Sequence, residues 1–366
     1  MSPEEARKLV PELRAIEGGG SERPAYTDLG NAETLVDRHG DRLRHVRQQR
    51  VWLYHHAGRW HRDETGEAER AAKDVARRAL VDAAELNGEE QKAAVKWALQ
   101  SQSEPRVRAC LGLASTESEI ALSADQLDAD PYLLACPNGT VDLRTGELRE
   151  HRPEDLISRG TEVAYDPRAK APRWHRFLGE VFAEDEELIA FIKRVVGYCL
   201  TGDTREHVAF VFHGAGCNGK TVFTETIKHL LGDLAVTASF DSFVRSRGDR
   251  GPRNDLARLH RARLVTASES GEGRKLDEAT VKTLSGGDTV TARFLYGEHF
   301  EFRPHFKLAM ITNHRPRVDG DDDAIWRRLR LIPFEQSFEG REDHDLPAKL
   351  AAELPGILRW ALGGCL

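Results

Sequence analysis

The segment from Gly214 to Thr221 has the residue types and the spacing of a phosphate-binding loop. It reads GAGCNGKT and fits the pattern G-x-x-x-x-G-K-S/T. Glycines weaken a fold unless the backbone must turn tightly or approach another group closely. Here they would let successive backbone N–H groups curl around a di- or triphosphate. The sequence therefore predicts a binding site for nucleotide phosphates. A glycine-rich turn without a ligand is the alternative.

Two side chains at the end of this loop carry the predicted chemistry. Lys220 would reach the β- and γ-phosphates, and the hydroxyl group of Thr221 would bind Mg²⁺. Cys217 and Asn218 occupy variable positions of the pattern, and Cys217 is interpreted as filler, not as a redox switch. The predicted contacts with the nucleotide, taken to be ATP, are Gly214, Ala215, Gly216, Cys217, Asn218, Gly219, Lys220, Thr221 and Val222.

The residues around the loop predict the strand–loop–helix context that such a site requires. Val208–His213 is a short apolar run typical of a buried strand, and Val222–Leu231 has helical spacing. The amino end of that helix would add partial positive charge beside the phosphates. Short β-branched runs alternate with helical stretches from His207 onward, which predicts an α/β fold with a parallel central sheet.

A second predicted strand, Arg263–Glu269, ends in a carboxylate. In phosphate-loop ATPases such an acid serves Mg²⁺ and the attacking water, so Glu269 is the candidate general base and a candidate metal ligand. Ser268 stands where a second acid is often found, and it would bind Mg²⁺ weakly or through water. A strand that simply ends in a surface glutamate is the alternative.

Two further segments could complete a hydrolytic site. Phe306–Asn313 predicts a third strand, and the amide of Asn313 at its end could orient water beside the γ-phosphate. An asparagine that starts a turn is the alternative. Arg327 and Arg328 follow Trp326, and either could reach a neighbouring subunit's nucleotide as an arginine finger. A solvated basic edge is the alternative for both arginines.

The composition limits the kind of protein. The 366 residues suggest about two domains, and a net charge of −7 means that only local basic clusters would attract nucleic acid. No apolar run approaches the ~20 residues that span a bilayer. The five cysteines lack the spacing of a disulfide framework or a zinc site, which favours a reducing cytoplasm.

The residue patterns divide the chain into four predicted parts. A mixed α+β accessory domain is predicted from a hairpin turning at Ala57-Gly58, helical spacing over Glu67–Gln102 and the strand TVDL within Cys136–Leu148. Trp174–Leu200 is amphipathic and predicts a helical collar. The predicted parts are a helix and linker over 1–25, the accessory domain over 26–165, the collar over 166–205 and the ATPase domain over 206–366.

The order of the motifs resembles that of superfamily 3 helicases, and more narrowly of the phage, plasmid and poxvirus type of primase-helicases. The resemblance is carried by GAGCNGKT, RLVTASE, KTLSGGDTVTARFLYGEHFEFRPHFKLAMITN and WRRLRLIPF, in that order. Upstream, TDLGNAETLV, CPNGTVDLRTGEL and the Trp174–Leu200 region resemble the accessory domain of that branch. The resemblance covers most of Tyr26–Leu362, and it is more specific in the motor than before it.

The resemblance implies an AAA+-like ring, usually a hexamer, that translocates on single-stranded DNA with 3′-to-5′ polarity and binds ATP between subunits. It assigns Lys220 and Thr221 to the phosphate loop, Glu269 to the acidic motif and Asn313 to the sensor. No acidic metal cluster of the family's primase domain is recognised ahead of Tyr26, and the sequence stops at Leu366 in or just after the helix-like PGILRWALGG, where the family usually continues into a small DNA-binding region. Either the protein is short or the sequence is a piece of a longer one. We therefore expect a separate primase or polymerase as partner during phage or plasmid replication, and duplex recognition elsewhere.

A predicted hairpin supplies the candidate DNA contacts. Thr289–Phe294 alternates like a strand, reverses at Gly297 and returns as Phe300–Phe302, where the resemblance places the family's pore hairpin. Cations and an aromatic ring there suit sequence-independent gripping of a strand, although an ordinary surface hairpin would look similar. Seven arginines between Arg245 and Arg263 could add positive charge or form a solvated face. The candidate DNA-binding residues are Lys275, Lys282, Arg293, Tyr296 and His299.

Three rival functions stay open on the sequence alone. A small-molecule kinase would share the phosphate loop but would neither form a ring nor respond to DNA. An AAA+ remodeller would hydrolyse ATP without threading DNA. A nucleotide-responsive DNA-binding subunit of a replication or defence complex would bind ATP and DNA without unwinding.

Overall fold

The computed structural model describes residues 25–244, 254–269, 275–293, 299–314 and 323–366. The predicted N-terminal helix, the arginines between 245 and 253, and Tyr296 lie outside the described residues. The chain forms two compact units: the residues up to 54 with 62–124, and residues 55–61 with 125–366. No helix among the described residues is both long and apolar enough to cross a bilayer.

In its described part, the first unit combines four helices with strands of a small sheet. Strand β1 pairs antiparallel with β2 and parallel with β4. The predicted hairpin turn at Ala57-Gly58 is confirmed, and the turn residues belong to the second unit. The predicted helical stretch over Glu67–Gln102 is two helices that end and begin around Asn87. The helices are α1 Asp28–His39, α2 Glu67–Ala84, α3 Gly88–Ser101 and α4 Glu104–Ala114. The strands are β1 Leu43–Val46, β2 Val51–His56, β3 Arg59–Arg62 and β4 Ala121–Leu122, of which the end of β2 and all of β3 except Arg62 belong to the second unit.

The second unit begins with a three-stranded antiparallel sheet. It consists of β5 Leu133–Cys136, β6 Gly139–Asp142 and β7 Glu147–Arg149, in the order β5-β6-β7. The turns predicted on either side of TVDL are therefore confirmed.

Two helices, α5 Pro172–Val181 and α6 Glu186–Leu200, follow, where the sequence showed one amphipathic stretch. Ala183 and Glu184 have left-handed backbones, with φ of 53° and 59°, which ends the first helix. Asp185 then caps α6 by accepting a hydrogen bond from the amide of Leu188 (3.0 Å).

A five-stranded parallel sheet forms the centre of the second unit. Its order is β14-β8-β13-β10-β9, and every neighbouring pair is parallel. Phe210 and Phe212 of β8 pack into one core, whereas Ala209 and Val211 pack into the other. The predicted α/β fold with a parallel sheet is therefore confirmed. The strands are β8 Ala209–His213, β9 Ala235–Ser239, β10 Leu264–Ser268, β13 Lys307–Thr312 and β14 Leu329–Pro333.

The remaining elements flank this sheet. The predicted hairpin is present as an antiparallel pair, β11 Val290–Arg293 with β12 His299–Phe302. The helices are α7 Lys220–Leu231, α8 Asn254–Ala257, α9 Glu278–Ser285, α10 Asp323–Trp326, α11 Leu346–Ala352 and α12 Leu354–Cys365. Helix α12 lies so close to α6 that a Cβ atom on Gly364 would stand 2.1 Å from the carbonyl oxygen of Lys193.

The division into compact units differs from the predicted boundary at residue 165. The first unit ends at Ala124, and the predicted collar packs into the same core as the sheet, through Trp174, Phe177 and Val195. Where the functional domains begin and end stays a prediction.

Candidate nucleotide-binding site

The carboxyl ends of β8, β10 and β13 meet at one edge of the parallel sheet, where ligands of open α/β sheets bind. A cavity of about 690 Å³ lies at this edge. Residues 216–222 of the predicted phosphate loop line it, together with Ser268, Glu269 and Asn313. Three predicted motifs that are far apart in the sequence therefore share one cavity.

Two glycines of the loop occupy positions that a side chain would disturb. Gly219 has a φ of 84°, and a Cβ atom there would lie 2.8 Å from Val181 Cγ2. A Cβ atom on Gly214 would lie 2.1 Å from the carbonyl oxygen of Phe334. At Gly216, in contrast, a Cβ atom would meet nothing within 4 Å. The loop is thus held tightly at both ends and faces open space in its middle.

Several backbone N–H groups of the loop are arranged as in an anion-binding site. The amides of Gly216, Cys217 and Gly219 donate to no residue that the structure describes. Cys217 has a φ of 53°, and its carbonyl oxygen accepts from the amide of Phe338 (2.8 Å). Successive amides without protein acceptors form a concave binding surface for phosphate oxygens.

Lys220 begins helix α7, and its ammonium group is folded back onto the loop. Its Nζ donates to the carbonyl oxygens of Gly214 (2.5 Å) and Ala215 (3.0 Å) and to Oδ1 of Asn218 (3.0 Å). Burial lowers the pKa of Lys220. Among the described residues no carboxylate pairs with this ammonium group, which lies on the loop itself.

Asn218 has a structural part that its variable position in the motif did not indicate. It is buried, and its Nδ2 donates to the carbonyl oxygens of Phe334 (2.9 Å) and Ala215. One amide thus ties the loop to the residue after β14 and holds the Lys220 ammonium group. The predicted contacts of Asn218 and its neighbours with a nucleotide stay predictions.

Glu269 follows β10 directly and is fixed by its neighbour strand. Its amide donates to the carbonyl oxygen of Ile311 (2.8 Å), and its carboxylate accepts from the hydroxyl group of Thr312. Thr221, Ser268 and Glu269 face the same cavity and offer only oxygen donors, which is the donor set that Mg²⁺ takes. The residues present therefore fit the predicted metal.

The sequence motifs did not identify Thr312 or the residues that form the far wall of the cavity. Thr312 stands one residue before the predicted sensor, at the end of the largely apolar strand KLAMIT, which gives no sign of its role. The far wall comes from α5 and from the chain after β14, including Phe177 and Phe338. There the guanidinium group of Arg173 lies 3.1 Å from Glu180 and 3.8 Å from Asp343.

Arg327 and Arg328 do not line this cavity. They precede β14, which runs parallel to β8, so they lie at the amino ends of the strands while the loop follows the carboxyl end. A five-residue strand separates the two edges by about 16 Å. Neither arginine is therefore placed to reach the nucleotide cavity of its own chain.

The candidate DNA contacts are brought together only in part. Arg293 lies directly opposite His299 in the β11–β12 pairing, and Lys282 lies on α9. Lys275 is exposed. The idea of an arginine-rich surface ahead of β10 is wrong for Arg263, which is buried and donates to the carbonyl oxygens of Leu133 (2.6 Å) and Leu200.

Two family models and several viral proteins match parts of this chain. Residues 32–183 match a family model described as D5 N terminal like, and residues 212–328 match one described as Family of unknown function (DUF5906). A putative helicase of Acanthamoeba polyphaga mimivirus is 32% identical over 217 residues, which are 58% of this chain and 22% of that protein. A putative primase of African swine fever virus is 24% identical over 211 residues, which are 56% of this chain and 22% of that protein.

A solved structure shares the fold. The ligand-free structure of the NrS-1 C-terminal region superposes with a TM-score of 0.57 at 10% identity, covering 92% of this chain and 69% of that chain. Over parts of its length the chain is therefore similar to viral proteins named as putative helicases and putative primases. The matched region spans 22–29% of the length of these and similar curated relatives.

Proposed function

We propose that this chain is the ATP-hydrolysing motor of a ring-shaped DNA helicase that works in phage or plasmid replication. The observation that carries the proposal is the single cavity that gathers the loop amides, Lys220, Glu269 and Asn313. The names of the relatives, a helicase and a primase, support a role in replication.

The geometry suggests what each residue does with ATP. The loop amides would bind the phosphates, and Lys220 would leave the carbonyls of Gly214 and Ala215 to reach them. Bound Mg²⁺, held by Thr221, Ser268 and Glu269, would neutralise phosphate charge. Glu269, held by Thr312, would take the proton of the attacking water.

Hydrolysis in this proposal needs a second subunit. Because Arg327 and Arg328 lie at the opposite edge of the sheet from their own loop, we assign one of them to the nucleotide of a neighbouring subunit. The subunits would form an AAA+-like ring, which we propose to be a hexamer. The β11–β12 pair, in which Arg293 lies opposite His299, would grip single-stranded DNA and move it with 3′-to-5′ polarity.

The deciding experiment measures phosphate release with and without single-stranded DNA on a sample of known mass in solution. We expect DNA to stimulate hydrolysis, and Lys220→Ala to abolish it, while Lys228→Ala, on the exposed side of the same helix, keeps it. Glu269→Gln should bind nucleotide normally and turn it over roughly 10²–10⁴-fold more slowly. Normal hydrolysis by Lys220→Ala contradicts the assignment of the loop.

A forked duplex separates the motor from its alternative. Strand separation that requires ATP supports the helicase. Stimulated hydrolysis without strand separation would instead favour a nucleotide-responsive DNA-binding or remodelling subunit of a larger replication or defence complex.

A further inference from the structure

A second cavity, of about 500 Å³, lies between α5, α6 and α12. Its charged lining is cationic: Lys170 precedes α5, Lys193 is on α6 and Arg359 is on α12, and the exposed side chain of His175 lies beside them. No carboxylate lines it. The chain carries a net charge of −7, so a cavity with cations from three separate elements is a local departure from the overall charge.

These three cations make no ion pairs with the described part of the protein. Within the described chain, no carboxylate makes a salt bridge with Lys170, Lys193 or Arg359. The guanidinium group of Arg359 donates to the carbonyl oxygen of Ala169 (3.2 Å), and the two ammonium groups have no protein acceptor among the described residues. In contrast, several surface cations of the first unit pair within a helix, as Lys73 does with Glu69 (3.3 Å). Like charges gathered without partners repel one another, and a bound anion would relieve that repulsion.

The cavity is built on a fixed floor. Trp360 is buried, and its ring meets the ring of Trp174 edge-on at 5.4 Å. Gly363 makes room for the Lys193 ammonium group, because a Cβ atom there would stand 3.0 Å from its Nζ. The packing of α6 on α12 therefore aims Lys193 at the cavity.

The kind of anion follows from the donors. The amides at the start of α5 are already occupied, since those of Arg173 (3.0 Å) and Trp174 (2.9 Å) donate to Glu353. Only side-chain cations remain, and flexible ammonium groups act as point charges without a rigid cradle. Trp360 is too buried to stack on a base. Such a site suits the backbone of a nucleic acid, which is recognised by charge without sequence, better than a small anion.

We propose that Lys170, Lys193 and Arg359 form a second nucleic-acid site, which binds the phosphate backbone of single-stranded DNA outside the β11–β12 hairpin. The inference rests on the proposed function for the nature of the polyanion. It adds a contact on the helices next to the nucleotide cavity, since α5 contributes Arg173 to that cavity and Pro172 to this one.

The test uses the full chain, a fluorescein-labelled oligothymidylate and anisotropy titrations between about 50 and 200 mM salt. The slope of log K against log salt is negative, and each single-strand phosphate contact contributes about −0.7 to it. The triple variant Lys170→Gln/Lys193→Gln/Arg359→Gln should therefore reduce the magnitude of this slope by about 2. At about 0.1 M salt the affinity should fall by roughly ten- to a hundredfold.

The matched control is Lys73→Gln/Lys92→Gln/Arg108→Gln, which removes the same charge from cations that pair with Glu69, Glu89 and Glu104. It should leave the slope unchanged. If the triple variant is unstable, Lys170→Gln/Arg359→Gln changes only exposed side chains and should reduce the magnitude of the slope by about 1.4.

Three outcomes overturn the inference. The first is a slope that is equal in the wild type and the cavity variant. The second is an equal loss in the matched control. The third is displacement of the oligonucleotide by inorganic phosphate at constant ionic strength in the wild type alone, which would assign a small-anion site. A wild type that binds no oligonucleotide would instead refute the proposed function itself.

Discussion

The hydroxyl group of Thr312 donates a hydrogen bond to the carboxylate of Glu269, across the ends of two neighbouring parallel strands. The same hydroxyl oxygen accepts from the amide of His314 (3.0 Å), so the Thr312 side chain is fixed by the turn that follows its strand. The acid of the candidate site is therefore oriented by the strand that ends in the candidate sensor.

Removal of this hydroxyl group tests whether Glu269 must be held. We expect Thr312→Val to slow ATP hydrolysis by about tenfold or more, because a hydrogen bond to a charged group is worth about 1.5–3 kcal/mol. Thr312→Ser keeps the donor and should restore the rate. Steady-state kinetics should show the loss in kcat, with KM for ATP little changed, because Thr312 acts through Glu269. A loss that the serine variant shares equally would refute a role for the hydroxyl group.

Two loop glycines form a matched pair for a stability test. Gly219→Ala should destabilise the protein by about 1–3 kcal/mol, since residue 219 has a positive φ and its Cβ would crowd Val181. Gly216→Ala has open space around the added methyl group and should cost much less. Thermal unfolding without nucleotide separates the two variants. Equal unfolding temperatures would show that the described loop conformation is wrong.

A mixing experiment decides between Arg327 and Arg328. We expect alanine at one of them to reduce hydrolysis by about 10³-fold or more with nucleotide binding retained. Because that arginine would serve a neighbour's site, mixing the variant with Lys220→Ala subunits should recover part of the activity at interfaces that combine two intact halves. Arg330→Ala is the neighbouring control and should hydrolyse ATP normally. No recovery for either arginine would exclude action between subunits.

Lys307, at the start of β13, gives a prediction for pH. It is buried, its Nζ donates to the carbonyl oxygens of Thr201 (2.5 Å) and Asp203 (3.2 Å), and it lies 4.5 Å from the ring centroid of Tyr198. Burial lowers its pKa from 10.5 to about 7. Between those values the unfolded chain binds the extra proton, so this lysine makes the free energy of unfolding rise with pH, by at most about 1.4 kcal/mol per unit.

Lys307→Met removes that dependence. Urea unfolding at about pH 6 and about pH 9 should show the wild type gaining stability relative to the variant as the pH rises. Below pH 7 both states of the wild type hold the proton, so the difference should be flat there. Lys228→Met, which replaces a lysine paired with Glu225, should show no such change. A pH dependence shared by Lys307→Met and the wild type would contradict the lowered pKa.

The sequence predicted the local parts of the site because each part has a local pattern. The strands before Gly214, Glu269 and Asn313 are short apolar runs, and the loop is defined by its spacing. That these three ends meet at one edge follows from the parallel strands, which the alternation of helices and strands also predicted. Residue patterns do not specify which strands are neighbours, so the order β14-β8-β13-β10-β9 needed the structure.

The rest of the site depends on contacts between distant residues. Arg173 reaches the nucleotide cavity from a helix that precedes the loop, and no spacing connects it to Gly214. Arg263 and Lys307 have the composition of surface residues, but backbone carbonyl oxygens from Leu133, Leu200 and Thr201 receive their hydrogen bonds in the interior. A sequence pattern contains no information on such acceptors, because they are backbone atoms that every residue type possesses.

Helix α5 contributes to both cavities, with Arg173 and Phe177 on one and Pro172 and His175 on the other. Its ten residues span about 15 Å, and the carboxylate of Glu353 accepts hydrogen bonds from the amides of its first turn. A tilt of α5 when ATP is cleaved would therefore also move Pro172 and His175, which line the second cavity of the same subunit. DNA binding at the second cavity would then be coupled to the state of the nucleotide through helix α5 alone, without a conformational change in the central sheet.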